Sequence, residues 1–427
     1  MAAIRPFCAL RYNAEHVPDL SAVIAPPYDV INAQQQEQLY QASPYNVVRL
    51  ILGKHYPADT AEDNRYVRAR RDFLAWQEHR ILQRDPKPAI YLIEHLFADE
   101  GGQRRSRLGF IALLQLEEPA EKAVFRHEAT LSGPKEDRTK LLQEVPANLE
   151  PIFCVYPDPQ GAIQSLLRRT ADAAKPAAPA TINGETVQVW PITDLAVIDR
   201  LAAHLAPSVV LIADGHHRFE VAYANRKRYG VLMSYFVSMA ETSLGVRPIH
   251  RVVQAETADP RALGELCRLE PVKDTAAVLR WLKEEGGQEG ATAGRFGYCD
   301  GRALYAATLR PERFAQWMMQ PTVPFALAAL DVSLLHGLIL PRLGVNSLHG
   351  TASAGADDSG VQYLASASEA VEASAAGQGH SAWLLRGIPL PQVYALASQG
   401  FTLPPKSTYF YPKVPSGVTI NLLDASS

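Results

Sequence analysis

VVLIADGHHRFEVAY, residues 209–223, is the stretch on which the reading of this chain turns. Val209 to Ala213 form a short apolar run of the kind that makes a buried strand. Phe219, Ala222 and Tyr223 follow at i, i+3 and i+4, the spacing of a helix face that packs inward. Between strand and helix stand Asp214, Gly215, His216, His217 and Arg218. Glycine permits a tight turn and the close approach of a ligand to the backbone. A helix start with Arg218 at its mouth suits an anion, phosphate first, because the first amides and the positive end of the dipole point the same way. Asp214 suits orienting His217, accepting a substrate proton or holding Mg²⁺. It equally suits a helix cap, with the histidines bonding buried backbone groups.

Outward from this turn the chain reads as α/β. Ala89–Phe97 and Arg107–Leu116 are apolar runs joined by a polar link, which predicts a β-hairpin. Tyr66, Ala69, Phe73, Trp76 and Ile81 predict a helix within 60–82. Residues 185–192 and 151–157 read as strands and 194–206 as a helix, while Asp300-Gly301 predicts a type I′ hairpin turn. The segments 361–367, 368–376 and 381–388 repeat a β-α-β rhythm, and 349–360 reads as a flexible loop. Residues 171–181, with two prolines and few large apolar side chains, are the expected linker. Three domains are therefore expected: 1–170, 181–330 and 331–427.

Composition narrows the functional classes. With 42 Lys+Arg against 45 Asp+Glu, the chain lacks the basic excess of a protein that grips duplex nucleic acid, so none is expected as a partner. Cys8, Cys154, Cys267 and Cys299 form no CxxC pair, as in a reduced cytoplasmic protein without a zinc ribbon. The opening MAAIRPFCALRYN has no apolar signal region, and no run reaches the length of a membrane span, so a cytoplasmic protein without a membrane partner is expected.

FRHEATLSGPKEDRTKLL holds a second polar group: His127, Glu128, Thr130, Lys135, Asp137 and Arg138. Leu141, Leu142 and Val145 continue with helical spacing, so the cations fall where a helix begins, the wrong end of the dipole unless an anion sits there. A solvated charged turn is the plainer alternative. His127-Glu128 lacks the HExxH spacing of a zinc site, and no metal-ligand set is assigned. Mg²⁺ held largely by phosphates would leave little protein cage. Lys135, Arg138 and Arg218 would clamp phosphate oxygens while Asp214, Glu128 or Asp137 orients an acceptor hydroxyl. Both polar groups are expected to face one concave pocket. Tyr28 and Asp29 in PPYDV, and Lys406 to Thr408 in PPKST, are weaker candidates; His250 and His336 read as ordinary histidines.

The turn ADGHHRFEVAY resembles the signature of the ParB/sulfiredoxin-like superfamily, in which a strand-glycine-histidine-arginine-helix turn holds nucleotide phosphates. The blocks IAPPYDVI, SPYNVVRLIL, HEATLSGPKEDR, IADGHHR and PPKSTYFYPK, in that order, are similar to the family numbered 1015 among domains of unknown function. The resemblance implies a ParB/sulfiredoxin-like unit packed with additional α/β segments. Sulfiredoxins carry a cysteine where this chain has His216, and ParB proteins add a helix-turn-helix reader for which no segment stands out. The free serine kinase branch fits best. It implies ATP or ADP with Mg²⁺ as cofactors, Gly215, His216, Arg218, Lys135 and Arg138 around the nucleotide, and Asp214, Glu128, His217, His127 and Asp137 at the chemistry. The expected function is phosphotransfer from a nucleotide to a small hydroxylated, serine-like metabolite. A non-catalytic nucleotide or phosphometabolite sensor, or a phosphatase, are the alternatives.

Overall fold

A computed structural model describes residues 2–99, 102–130, 132–177, 179–254, 260–284, 294–319, 324–345, 360–375 and 380–423. The chain is mixed α/β and divides into two compact units. The first comprises Met1–Phe125, Lys135–Gly245 and Pro412–Ser427, and the second Arg126–Pro134 with Val246–Tyr411. This division differs from three consecutive domains. Alanine and proline in 171–181 mark not a boundary but a stretch inside the first unit: the helix Ala162–Ala173 ends there and the strand Ala180–Ile182 begins. Loop composition signals exposure, not the edge of a core.

A mixed sheet of nine strands among the described residues organises the first unit. Across it the order is Val124–Phe125, Val210–Asp214, Ile152–Tyr156, Val231–Ser238, Arg104–Gln115, Ile90–Ala98, Glu185–Ile192 and Ala180–Ile182, with Ile4–Arg5 also on Arg104–Gln115. The hairpin read from the sequence is its centre, in register at Tyr91 with Ile111 and Leu92 with Phe110. Its central residues are buried, which is why the strands read as near-continuous apolar runs. Ile163, Leu166, Leu167, Ile198, Leu201 and Leu205 from the helices Ala162–Ala173 and Leu195–Leu205 join that core, the 3.6-residue face that each sequence displays.

A second cluster gathers around the helix Arg65–Glu78, which buries Ala69, Phe73 and Trp76. Asn64 caps it, its side chain accepting from the amides of Tyr66 and Val67. Ile420 from the C-terminal segment is fully buried in the same cluster.

The second unit holds a six-stranded antiparallel sheet in the order Cys267–Val272, Leu304–Leu309, Arg295–Cys299, His380–Leu384, His250–Gln254 and Val361–Leu364. The β-α-β rhythm is realised by Val361–Leu364, the helix Ala367–Ala375 and His380–Leu384, the two strands flanking His250–Gln254. The turn at 300–303 is longer than the two-residue type I′ turn expected. Only Gly301 has positive φ, and the Asp300 carboxylate closes the loop by accepting from the amides of Arg302 and Ala303. Residues 349–359 of the expected flexible loop lie outside the described residues. No helix among those described is long and apolar enough to cross a membrane.

Candidate functional site

The strand Val210–Asp214 passes through Gly215 into the helix His216–Ala224. Its pairing with Ile152–Tyr156 slips between Ile212 and Asp214, an irregularity that re-aims the strand end. Gly215 has φ of 97°, and a Cβ there would lie 2.7 Å from Cγ2 of Ile152. Glycine is thus required twice over, by conformation and by space. No side chain caps the helix at its first residue, so the capping role considered for Asp214 is not the one it plays.

Asp214 is held by two cations instead. Oδ2 accepts from Nη2 of Arg218 at 2.8 Å, and Oδ1 pairs with Nζ of Lys413 at 2.6 Å. Lys413 also reaches Oδ2 of Asp29 at 2.7 Å. Arg218 donates its Nη1 to the Pro151 carbonyl at 2.6 Å. Burial works to lower the Lys413 pKa, but Asp214 and Asp29 outweigh it and hold the ammonium well above the usual lysine value. Arg218 is raised in the same way: burial opposes, and Glu150, Asp214 and Asp29 prevail.

A second string of charges continues from this pair in the same unit. Glu150, buried, accepts at Oε1 from the Tyr28 amide at 3.1 Å and the Ser416 hydroxyl at 2.8 Å, and its Oε2 lies 3.7 Å from Nη1 of Arg138. Arg138 stacks 3.9 Å from the Tyr28 ring centre and donates Nε to Oδ2 of Asp137 at 2.8 Å. Asp137 Oδ1 accepts from Nη2 of Arg65 at 2.6 Å and from the Tyr66 hydroxyl at 2.7 Å. Burial pushes Asp137 upward, yet Arg138, Tyr66 and Arg65 leave it below the usual aspartate value. Burial drives the Tyr28 phenol up to about 12, so it stays protonated as a hydroxyl.

Four cations, Arg65, Arg138, Arg218 and Lys413, therefore face four anions, Asp29, Asp137, Glu150 and Asp214. Ion pairs this deep are costly to assemble and seldom improve on an apolar core, so the network is the part of the first unit where stability alone explains least.

Of the residues singled out from sequence, Asp214, Gly215, Arg218, Asp137 and Arg138 belong to this network or its turn. His216 is buried and His217 stands in the first turn of the same helix. Lys135 pairs with Glu220 of that helix at 3.2 Å. The dipole conflict inferred for Arg138 does not arise, and that for Lys135, at the edge of the first turn, is offset by Glu220. The helix there runs Ser132–Glu144, so Arg138 lies in its second turn and Lys135 is its fourth residue.

His127 and Glu128 belong to the second unit. His127 Nε2 meets the Thr408 hydroxyl at 2.8 Å, and Glu128 accepts from the Lys406 amide at 3.2 Å. The block HEAT thus meets PPKST, with Lys406 at the positive φ of 58° that such a turn needs. Sequence reasoning passed over Lys413, Glu150 and Arg65. A carboxylate at Glu150, directly before the apolar strand Ile152–Tyr156, was the one local signal, since buried carboxylates need partners. Lys413 closes the block PPKSTYFYPK but carries no pattern of its own.

Residues 4–333 match the family described as "Protein of unknown function (DUF1015)". No curated protein sequence matches significantly. Among solved structures, the chain is similar to SbnI with a C-terminal truncation from Staphylococcus aureus at 10% identity and a TM-score of 0.39, covering 74% of this chain and 89% of that one. A conserved hypothetical protein from Pyrococcus furiosus gives 14% identity and a TM-score of 0.35 over 73% and 95% of the two chains. A free serine kinase in complex with AMP gives 13% and 0.37 over 74% and 92%. Likenesses of this strength assign nothing to this chain.

Proposed function

The chain belongs to the DUF1015 family, and we propose that it is a nucleotide-dependent phosphotransferase acting on a small hydroxylated, serine-like metabolite. One observation carries the reading: Lys413 is clamped between Asp214, at the end of the strand before Gly215, and the more exposed Asp29. A phosphate arriving at this turn takes over the exposed half of that clamp. Lys413 then exchanges Asp29 for a phosphate oxygen while Asp214 keeps it in place. The helix start behind Gly215 adds the favourable end of its dipole. Asp29, more exposed than Asp214, is the carboxylate better placed to meet an acceptor hydroxyl, since both oxygens of Asp214 are held by cations.

ATP or ADP with Mg²⁺ suits this donor set within limits. Among the described residues no group of three or more His, Cys, Asp or Glu side chains is placed to hold a metal ion. The ion would come with the nucleotide, its ligands mostly phosphate and water, with Asp29 as a carboxylate nearby; it would neutralise charge on the transferring group.

The occupied state of Asp214 favours one second reading, a sensor that binds nucleotide without turnover. Calorimetry with ATP, ADP and CTP in Mg²⁺, together with ³¹P NMR of transfer to serine, separates the two. Lys413→Met should weaken nucleotide binding at least tenfold, the worth of a charge-assisted contact. Asp29→Asn should spare binding and lower transfer about a hundredfold. Binding without transfer in the parent protein supports the sensor. Unchanged binding in Lys413→Met removes the phosphate site from this turn.

A further inference from the structure

Asp29 and Lys413 reach the clamp from opposite ends of the chain, and the buried side chain of Glu150 joins the two segments that carry them. Its Oε1 accepts from the amide of Tyr28, the residue before Asp29, at 3.1 Å, and from the hydroxyl of Ser416, shortly after Lys413, at 2.8 Å. The same segments meet in backbone at Ala25 and Ser416, which exchange hydrogen bonds of 3.2 and 2.8 Å. On the other side of Lys413, the buried Arg107 donates Nη2 to the Pro412 carbonyl. All of these residues belong to the first unit. The ion pairs of Lys413 fix the spacing of the segments only loosely, because Coulomb attraction falls slowly with distance. Hydrogen bonds fix it closely, since they weaken steeply when bent or stretched.

We propose that Glu150 is the positioning residue of this site: by accepting from Tyr28 and Ser416 at one oxygen, it sets the spacing of Asp29 and Lys413 at which a phosphate is received. This role deepens the phosphotransfer reading and rests on it. The Glu150 charge is the lesser part. Its other oxygen lies 3.7 Å from Nη1 of Arg138, beyond hydrogen-bond reach. Arg138 keeps Asp137 at 2.8 Å and Arg218 keeps Asp214 at 2.8 Å, so each cation has a nearer carboxylate of its own. What no other side chain at the site supplies among the described contacts is the pair of hydrogen bonds that ties residue 28 to residue 416.

Two substitutions in the full chain separate the hydrogen bonds from the charge. Glu150→Gln keeps the accepting oxygen and removes the charge; Glu150→Asp keeps the charge but, one carbon–carbon bond shorter, cannot reach both donors. The readout is reductive methylation of Lys413 without nucleotide, followed by peptide mass spectrometry, with the exposed Lys87 as internal control. Only the neutral amine reacts, and each unit by which its pKa falls raises the neutral fraction about tenfold. Lys413 should be methylated at least about tenfold faster in Glu150→Asp and at close to the parent rate in Glu150→Gln. Transfer to serine should fall at least about tenfold in Glu150→Asp, the kind of loss that slight misplacement brings, and be largely retained in Glu150→Gln. Lys413 as protected in folded Glu150→Asp as in the parent overturns the proposal. So does Glu150→Gln exposing Lys413 as far as Glu150→Asp, since charge would then be what matters. Thermal unfolding shows whether both variants fold. Where either does not, Ser416→Ala decides: it deletes one donor and should speed Lys413 methylation, and unchanged protection there overturns the proposal. Absence of transfer by the parent protein removes the phosphotransfer reading instead, and the lysine comparison still decides whether Glu150 sets the clamp.

Discussion

Asp214 shows how much a single residue's meaning depends on what stands beside it. A strand-end aspartate is a general base when one oxygen is open; with Arg218 on one oxygen and Lys413 on the other it becomes the fixed post of a clamp. His250 and His336, by contrast, titrate in a way that can be predicted. His250 accepts at Nδ1 from the Leu385 amide, and His336 accepts at Nε2 from Nε of Arg251, so both are held neutral. Burial, then the nearby Arg251 charge, lowers His250 to about 4 and His336 to about 3. The unfolded chain takes up these protons near pH 6.5 and the folded one does not. Their stabilisation is therefore complete above pH 6.5 and is lost as pH falls towards 4, at about 1.4 kcal/mol per pH unit for each histidine. Hydrogen exchange of the strand His250–Gln254 should show this loss between pH 6 and 5. His336→Gln keeps an acceptor for Arg251 and should make the slope shallower by about that amount. Equal slopes in both proteins would refute the assignment.

At the level of elements, the strand-turn-helix around Gly215 combines a conformational demand with a steric one. Gly215→Ala should destabilise the first unit by about 1–3 kcal/mol from positive φ alone, and by more because the new Cβ meets Ile152. Gly184→Ala is the matched control, since Gly184 has φ of 79° with nothing within 4 Å of its Cβ position. Urea unfolding of the two variants isolates the steric share; equal losses would mean that Ile152 gives way freely. The helix Arg65–Glu78 and the hairpin Ile90–Gln115 were legible in advance because their signals are short-range: an apolar period of 3.6, and two apolar runs about a polar link. The turn at 300–303 misled because Asp-Gly suits several turns, and the Asp300 side chain selects among them by bonding its own loop.

For the whole molecule, the decisive feature is that the chain leaves the first unit after Gly245 and returns at Pro412. The returning segment brings Lys413 to the site and buries Val414, Val418, Ile420 and Leu423. Burying four such side chains is worth on the order of 6–12 kcal/mol, comparable to the whole stability of an ordinary domain. A chain ending at residue 411 should therefore lose the fold of the first unit, read as rapid hydrogen exchange in the strands Ile90–Ala98 and Arg104–Gln115. Slow exchange there, matching the full chain, would show that the returning segment is dispensable.

The amino-acid sequence by itself determined the α/β class, the principal helices and strands, and the strand-glycine-helix turn at 210–224, because each depends on periodicity, capping or backbone freedom within a dozen residues. It also marked Arg138, Asp137 and Arg218 as charges out of the ordinary. Which charges they meet was decided only by the tertiary structure. Lys413 and Asp29 come from opposite ends of the chain, and Glu150 from a third stretch, to neutralise one another around Asp214 and Arg218. Coulombic partnership depends on distance in space and on exclusion of water, neither of which leaves a period in the sequence. For the same reason HEAT and KEDR, adjacent in sequence, fall into different units: strand pairing and burial, rather than neighbourhood along the chain, assign each residue to its core.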